Sequence, residues 1–192
     1  MAAALPPLVL ASASPRRLDL LRQVGLEPSV VDPADIDESP RPRELPRHYA
    51  LRMAKAKLSA VAGRHPGALV LAADSVVACG RRILPKAETE QQARQCLGLL
   101  SGRRHRVLGA IALARPDGAV RTRLIETVVR FKRLEAGEVE DYLASGEWRG
   151  KAGGYAIQGR AARFVSFLSG SYSNVVGLPL FETVALVKAE QA

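Results

Sequence analysis

The stretch Leu8-Val9-Leu10-Ala11-Ser12-Ala13-Ser14-Pro15-Arg16-Arg17 decides how the rest of the chain is read. Four apolar residues are too few for a helix, and the small residues and proline that follow mark a buried strand leaving a sheet. A helix begins next. Proline suits a first helical turn because its missing N–H would have no intrahelical partner, and the Ser14 hydroxyl immediately before it can cap the free amides. Two arginines then stand in the first turn, where the helix dipole favours Asp or Glu. The junction gathers outward-pointing N–H groups and two guanidiniums, which suits a phosphate whose oxygens pair with guanidinium forks two at a time. Taken alone, so short a motif fits equally a plain strand–turn–helix junction with two solvated arginines.

Outward from this motif, apolar strands alternate with helical stretches, the pattern of an α/β domain. Pro28 to Val31 reads as a second short strand, followed by the acidic residues Asp32, Asp35, Asp37 and Glu38 and a loop at Ser39-Pro40-Arg41-Pro42. From Pro46 to Ala62, Tyr49, Leu51, Met53, Ala54, Leu58 and Val61 recur at three- and four-residue spacing, as an amphipathic helix requires; Lys55 and Lys57 ride on it. Ala68 to Val77 is the strongest strand candidate. Glu88 to Leu100 reads as a helix ended by Ser101-Gly102, and Val107 to Leu113 and Leu124 to Leu134 as strands joined through Pro116-Asp117-Gly118. Glu138 to Ala144 is a short helix, Tyr155 to Ile157 and Phe164 to Leu168 are short strands, and Leu178 to Lys188 is a closing helix. With no repeat and no linker long enough to divide it, the chain is expected to form one domain over residues 1–192.

Composition narrows the class. A chain of 192 residues, 47% of them hydrophobic, can bury a substantial core. Its two cysteines, Cys79 and Cys96, stand apart without CxxC spacing, against a zinc site or disulfide framework and in keeping with a reducing cytoplasm. Leu5 to Ser14 lacks a basic flank and is broken by Pro6-Pro7, so it does not read as a signal peptide, and no apolar run approaches the roughly 20 residues of a membrane span. The net charge of +9 comes with only 5% aromatic residues and scattered arginines. Nucleic-acid binding would call for clustered cations with interleaved aromatics; a mostly solvated basic surface fits better, and so does attraction of a small polyanion.

Asp74 interrupts the apolar strand Leu69-Val70-Leu71-Ala72-Ala73-Asp74-Ser75-Val76-Val77. An unpaired buried carboxylate costs several kcal/mol, so a partner is expected. One reading is a strand-end aspartate bonded to nearby amides. The other is a functional carboxylate, either a general base acting on water or an oxygen ligand to a hard cation such as Mg²⁺.

Five ordered motifs join these features. They are Leu10-Ala11-Ser12-Ala13-Ser14-Pro15-Arg16-Arg17, Ala72-Ala73-Asp74-Ser75-Val76-Val77, Leu100-Ser101-Gly102-Arg103-Arg104-His105-Arg106-Val107, Lys151-Ala152-Gly153-Gly154-Tyr155-Ala156-Ile157-Gln158-Gly159 and Gly170-Ser171-Tyr172-Ser173-Asn174-Val175-Val176-Gly177-Leu178-Pro179-Leu180. In this order, from first strand to last helix, they resemble the Maf family of nucleoside triphosphate pyrophosphatases.

The resemblance implies an elongated, two-lobed fold like that of inosine-triphosphate pyrophosphatases, with a central mixed sheet and a cleft, and commonly a homodimer. It also implies hydrolysis of a nucleoside triphosphate between the α- and β-phosphates with Mg²⁺ or Mn²⁺. By the matched positions, Ser12, Arg16, Arg17 and Lys57 bind phosphate. Asp74, Glu38 and Lys86 are catalytic, and Glu38 and Asp74 hold the metal. The subgroup acting on dTTP and UTP resembles this chain at Arg16 and Gln158. The Gln158 amide offers a donor and an acceptor to the imide N–H and carbonyl of thymine or uracil. Ser75 stands where that subgroup has threonine, a difference of one methyl beside the pocket. Leu84-Pro85-Lys86-Ala87 replaces the usual Leu-Gly-Lys-Pro, fixing φ where glycine would be free, and Val107-Leu108-Gly109-Ala110 lacks the usual threonine. His105, Trp148, Tyr155 and Asn174 read as structural, and the cysteines as small buried hydrophobes. The family's association with septum formation leaves a second reading open, a nucleotide-responsive regulator of cell division with weak or absent hydrolysis.

Overall fold

Residues 6–190 are described by the computed structural model. In chain order they form β1 (Leu8–Ala11), α1 (Pro15–Gln23), β2 (Val30–Val31), α2 (Pro46–Ala62), β3 (Leu69–Cys79), β4 (Arg82–Leu84), β5 (Lys86–Ala87) and α3 (Glu90–Leu100). Then follow β6 (Arg104–Ala114), β7 (Val120–Phe131), α4 (Ala136–Ala144), β8 (Lys151–Ala152), a 3-10 turn at Arg160–Phe164, β9 (Val165–Ser169), α5 (Tyr172–Val176) and α6 (Leu180–Lys188). Seven of the strands hydrogen-bond in one mixed sheet, in the order β2-β1-β3-β6-β7-β9 with β4 pairing to β3 off that path; β5 and β8 pair separately. The α/β class and the mixed central sheet are as the sequence indicates.

The described chain groups into two compact units. Among the described residues the first comprises 6–74, Gly109–Ile125 and 177–190; the second comprises Ser75–Leu108 and Glu126–Val176. In the first, β1 lies between two parallel partners, with Val9 opposite Val30 and the run Leu8 to Ala11 opposite Leu69 to Ala72. A strand with a parallel neighbour on each side is covered on both faces, which is why all four of its residues are apolar and buried. Helix α2 starts at Pro46, in the first-turn position where proline costs nothing, and buries Tyr49, Ala50, Met53, Ala54, Lys57, Leu58 and Val61. Full burial of each large apolar side chain contributes about 1.5–3 kcal/mol. The same helical stripe carries Lys57 inward.

The second unit has an aromatic core. Phe131 meets Tyr155 and Phe164 edge-on with centroids 4.9 and 5.8 Å apart, and Tyr142 packs on Phe164 at 5.4 Å. Trp148 is buried with its indole N–H donating to the Leu143 carbonyl at 2.9 Å, which meets the polar requirement of a buried tryptophan. Asn174, also buried, donates to the Val107 carbonyl and to Thr127 Oγ1. These contacts bear out the structural roles expected of Trp148, Tyr155 and Asn174. Cys96 is buried and Cys79 half-buried, both free thiols.

Several expectations are corrected. Tyr155 to Ile157 is no strand: Gly153 and Gly154 both take φ of +68°, which turns the chain, and the short strand lies earlier, at β8. A Cβ on Gly153 would come within 2.8 Å of Val77, so the close approach excludes any side chain there. Helix α3 begins at Glu90 rather than Glu88, because Thr89 and Gln92 form a reciprocal capping box; α4 begins at Ala136 rather than Glu138, where the Glu138 carboxylate accepts from the Glu135 amide at 3.1 Å. Helix α6 begins two residues later than expected, at Leu180 behind Pro179. Helix α5 was not legible, being five residues long. No helix among the described residues is long and apolar enough to cross a membrane.

Candidate active site

Strand β1 delivers its chain to α1 through Ser12, Ala13 and Ser14. Ser14 occupies the cap position with extended backbone, yet its hydroxyl makes no capping bond, contrary to the expectation from sequence. The hydroxyl that organises this loop is Ser12 Oγ instead, which accepts from the Ser14 amide at 3.3 Å and from Arg17 Nη1 at 2.9 Å. Arg17 Nε donates in turn to the Gly177 carbonyl at 2.9 Å. Arg17 is therefore a buried, tethered guanidinium. Burial pushes its pKa below the usual arginine value; nearby Asp74 and Glu38 oppose that shift, and Arg16 adds to it.

Arg16 differs from its neighbour. It is only partly buried, and its Nε is shielded from water without a hydrogen-bond partner among the described residues. A buried donor left without a partner costs about 1–3 kcal/mol, which an anion accepting from it would relieve.

Glu38 and Asp74 converge on Lys57. Its ammonium lies 2.7 Å from Asp74 Oδ1 and 3.0 Å from Glu38 Oε1, and the Lys57 and Asp74 side chains are 8% and 5% exposed. This disposes of the solvated helix lysine that the sequence alone would allow. Position 57 lies four residues from Met53 and from Val61, on the buried stripe of α2, so helical geometry carries it to the Asp74 carboxylate inside β3. The partner that a buried Asp74 required is this lysine, not backbone amides. Tyr49, on the same stripe, donates its hydroxyl to the Glu38 carbonyl at 2.7 Å and so fixes the acidic loop on α2. Burial, with the charges of Asp74 and Glu38 adding to it, pushes the Tyr49 phenol up to about 12, so it stays protonated as a donor.

Among the described residues no group of three or more His, Cys, Asp or Glu side chains is arranged to hold a metal ion. Two carboxylates sharing one cationic partner nevertheless suit a hard cation that takes its remaining oxygens from phosphate and water, as Mg²⁺ commonly does.

The first unit thus unites Ser12, Arg16, Arg17, Glu38, Lys57 and Asp74. Ser75, Lys86 and Gln158 belong to the second. There, Ser75 is half-buried on β3. Lys86 is exposed on the two-residue strand β5, where it pairs with Ala152 of β8. Pro85 before it uses its carbonyl, the one backbone hydrogen-bonding group a proline retains, to accept from the Gly153 amide at 2.9 Å. Gln158 is exposed on the turn after Ile157. Sequence reasoning missed Tyr49, whose apolar spacing marks it only as core, and the Gly177 carbonyl, for which no side-chain signal exists.

Fold and site together define an α/β protein with a basic strand-to-helix loop set beside a buried carboxylate–lysine cluster, suited to an anion of several charges. The chain belongs to the Maf family: the family model described as Maf-like protein matches residues 7–190. A protein of Rhodospirillum rubrum named dTTP/UTP pyrophosphatase is 67% identical over 181 residues, covering 94% of this chain and 86% of the relative. A protein of the same name from Paramagnetospirillum magneticum is 67% identical over 180 residues, covering 94% and 95%. The solved structure of a HAM1 protein from Coxiella burnetii shares the fold, with a TM-score of 0.50 at 18% identity over 96% of this chain and 99% of that one.

Proposed function

We propose that this chain hydrolyses nucleoside triphosphates, dTTP and UTP foremost, between the α- and β-phosphates to give a nucleoside monophosphate and pyrophosphate. The observation that carries the reading is the gathering of Arg16, Arg17 and Ser12 with the Glu38–Lys57–Asp74 cluster in one unit. A triphosphate brings about four negative charges, and the charge on the departing pyrophosphate is what catalysis has to stabilise.

In this reading Arg16 meets the phosphates directly, and Arg17, held by Ser12 and Gly177, supplies a fixed positive charge. Lys57 holds the Asp74 carboxylate in place. Asp74 accepts the proton of the attacking water as the water oxygen bonds to phosphorus and the bridging oxygen leaves with pyrophosphate. Glu38 and Asp74 would hold Mg²⁺ or Mn²⁺, which when bound supplies charge neutralisation at the phosphates. Lys86 adds charge to the departing group, and Gln158 reads the imide edge of the base, with Ser75 and Arg16 shaping selection. The free thiols of Cys79 and Cys96 accord with a cytoplasmic enzyme, and the family resemblance with a homodimer.

The test is pyrophosphate release from dTTP, UTP, CTP, GTP and 7-methyl-GTP, with Mg²⁺ or Mn²⁺, by wild type and Asp74→Asn. Selective hydrolysis of dTTP and UTP that falls at least a hundredfold in a folded Asp74→Asn variant is the expected result. Turnover unaffected by that substitution would remove Asp74 from the chemistry. Nucleotide binding without any turnover by the folded protein would instead point to the regulator of cell division.

A further inference from the structure

The turn that presents Gln158 is clamped from a residue that none of the motif positions above assigns to base selection. Glu147 Oε2 accepts from the Arg160 amide at 2.7 Å, reaching across Gly159 to do so. A Cβ built on Gly159 would meet Glu147 Oε2 at 2.1 Å, its carboxyl carbon at 2.9 Å and Oε1 at 3.4 Å. All three nearest neighbours belong to that one carboxylate. Gly159 itself has φ −107° and ψ −151°, a conformation open to any residue, so backbone freedom does not explain a glycine here. The glycine leaves room for the carboxylate.

The other side of the turn is fixed by buried groups. Tyr155 Oη meets His105 Nε2 at 2.8 Å, and the Ala156 amide donates to Tyr142 Oη at 3.1 Å. Residues 155–157 are buried, and the first exposed residue after them is Gln158. The exit from the core is thus set at Tyr155 and Ala156, and the carboxylate of Glu147 sets where the chain goes after Gln158. Backbone bonds also hold the far side, from the Gly159 amide to the Ala156 carbonyl and from the Ala162 amide to the Gly159 carbonyl, each 3.0 Å, and Arg160 Nε lies 4.0 Å from Glu147 Oε1. The Glu147 carboxylate is thus the side-chain hold on that half of the turn, and a substitution there tests it without altering the backbone bonds.

We propose that Glu147 is a positioning residue for base selection, holding the Gln158 turn through the Arg160 amide in the space that Gly159 leaves open. The proposal rests on the reading of Gln158 given above. Glu147 touches no substrate; its effect is on where Gln158 points, so its loss should appear in discrimination between bases and in KM rather than in kcat.

The experiment measures kcat and KM for dTTP and GTP with wild type, Glu147→Ala, Glu147→Gln, Gly159→Ala, the double variant Glu147→Ala/Gly159→Ala and Gln158→Ala, together with amide hydrogen exchange at residues 158–160. Glu147→Ala should lower the dTTP:GTP ratio of kcat/KM about tenfold, mainly through KM, with exchange at Arg160 accelerated. Glu147→Gln keeps an acceptor oxygen and should restore most of the ratio, which a purely charge-based role would not allow. Gly159→Ala should reproduce Glu147→Ala by displacing the carboxylate, and the double variant should be no worse than either alone. Gly159→Ala also keeps the test decisive should Glu147→Ala fold poorly. A wild-type ratio in folded Glu147→Ala and Gly159→Ala, with the ratio lost in Gln158→Ala, overturns this inference and leaves the proposed function standing. Wild type without preference for dTTP, or Gln158→Ala with preference unchanged, overturns the reading of Gln158 and this inference with it.

Discussion

Substituting Lys57 by alanine removes the cation in direct contact with both Glu38 and Asp74, and the structure sets the size of the effect. At an effective dielectric of about 20, attraction across the 2.7 Å contact to Asp74 is about 6 kcal/mol before desolvation is charged against it. Breaking such a buried pair from one side costs about 3–5 kcal/mol, because a carboxylate that is 5% exposed loses the cation in direct contact with it. Urea unfolding of wild type, Lys57→Ala, Asp74→Asn and the double variant at pH 7 measures this directly. The double variant should be more stable than Lys57→Ala at pH 7, since a neutral amide replaces the stranded charge. Lys57→Ala within about 1 kcal/mol of wild type at pH 7, or a double variant no more stable than Lys57→Ala, would refute the buried-pair account.

The two neighbouring arginines should part company on substitution. Arg16→Ala should raise KM for the triphosphate while leaving the urea midpoint near wild type, as Arg16 Nε gives up no internal bond. Arg17→Ala should cost about 2–3 kcal/mol as well, because it removes the buried donor to the Ser12 hydroxyl and to the Gly177 carbonyl; equal stabilities for the two variants would contradict the tether. His105 supplies a pH signature. Burial pushes its imidazole down to about 4, below its ordinary 6.5, so the unfolded state takes up a proton first and stability falls as the pH drops from about 6.5 to about 4. The loss amounts to about 3 kcal/mol at most, is absent above pH 7, and should vanish in a folded His105→Gln variant. An imidazole titrating near 6.5 by NMR would contradict it.

Periodicity made much of the first unit legible. The bounds of β1 and α2 fall where the sequence puts them, since an all-apolar tetrad and a seventeen-residue amphipathic repeat each admit one conformation. Asp74 was legible as a buried charge in want of a partner, but its partner was not: Lys57 and Asp74 lie 17 residues apart, and only the meeting of helix face and strand face brings them together. The acidic loop hid its own anchor, because Tyr49 reads as one more apolar residue until its hydroxyl is seen at the Glu38 carbonyl. In the second unit, Tyr155 to Ile157 misled. Three apolar residues in a row satisfy a strand pattern, yet they are buried in a turn by the paired glycines before them and the aromatics around them.

The tether from Arg17 to the carbonyl of Gly177 joins residues 160 positions apart in the chain. A chain emerging from the ribosome makes Ser12, Arg16 and Arg17 before the second unit, and the acceptor that fixes Arg17 only after all of that unit has been synthesised. The first unit is itself assembled from three separated segments, the last beginning at Gly177. Loop closure on this scale is slow and entropically costly, so the basic loop acquires its final shape late, after the second unit has had the chance to fold as a body. Until then the nascent chain carries its arginines without the geometry that aims them, and competence to grip a polyanion waits until Gly177 has joined the chain.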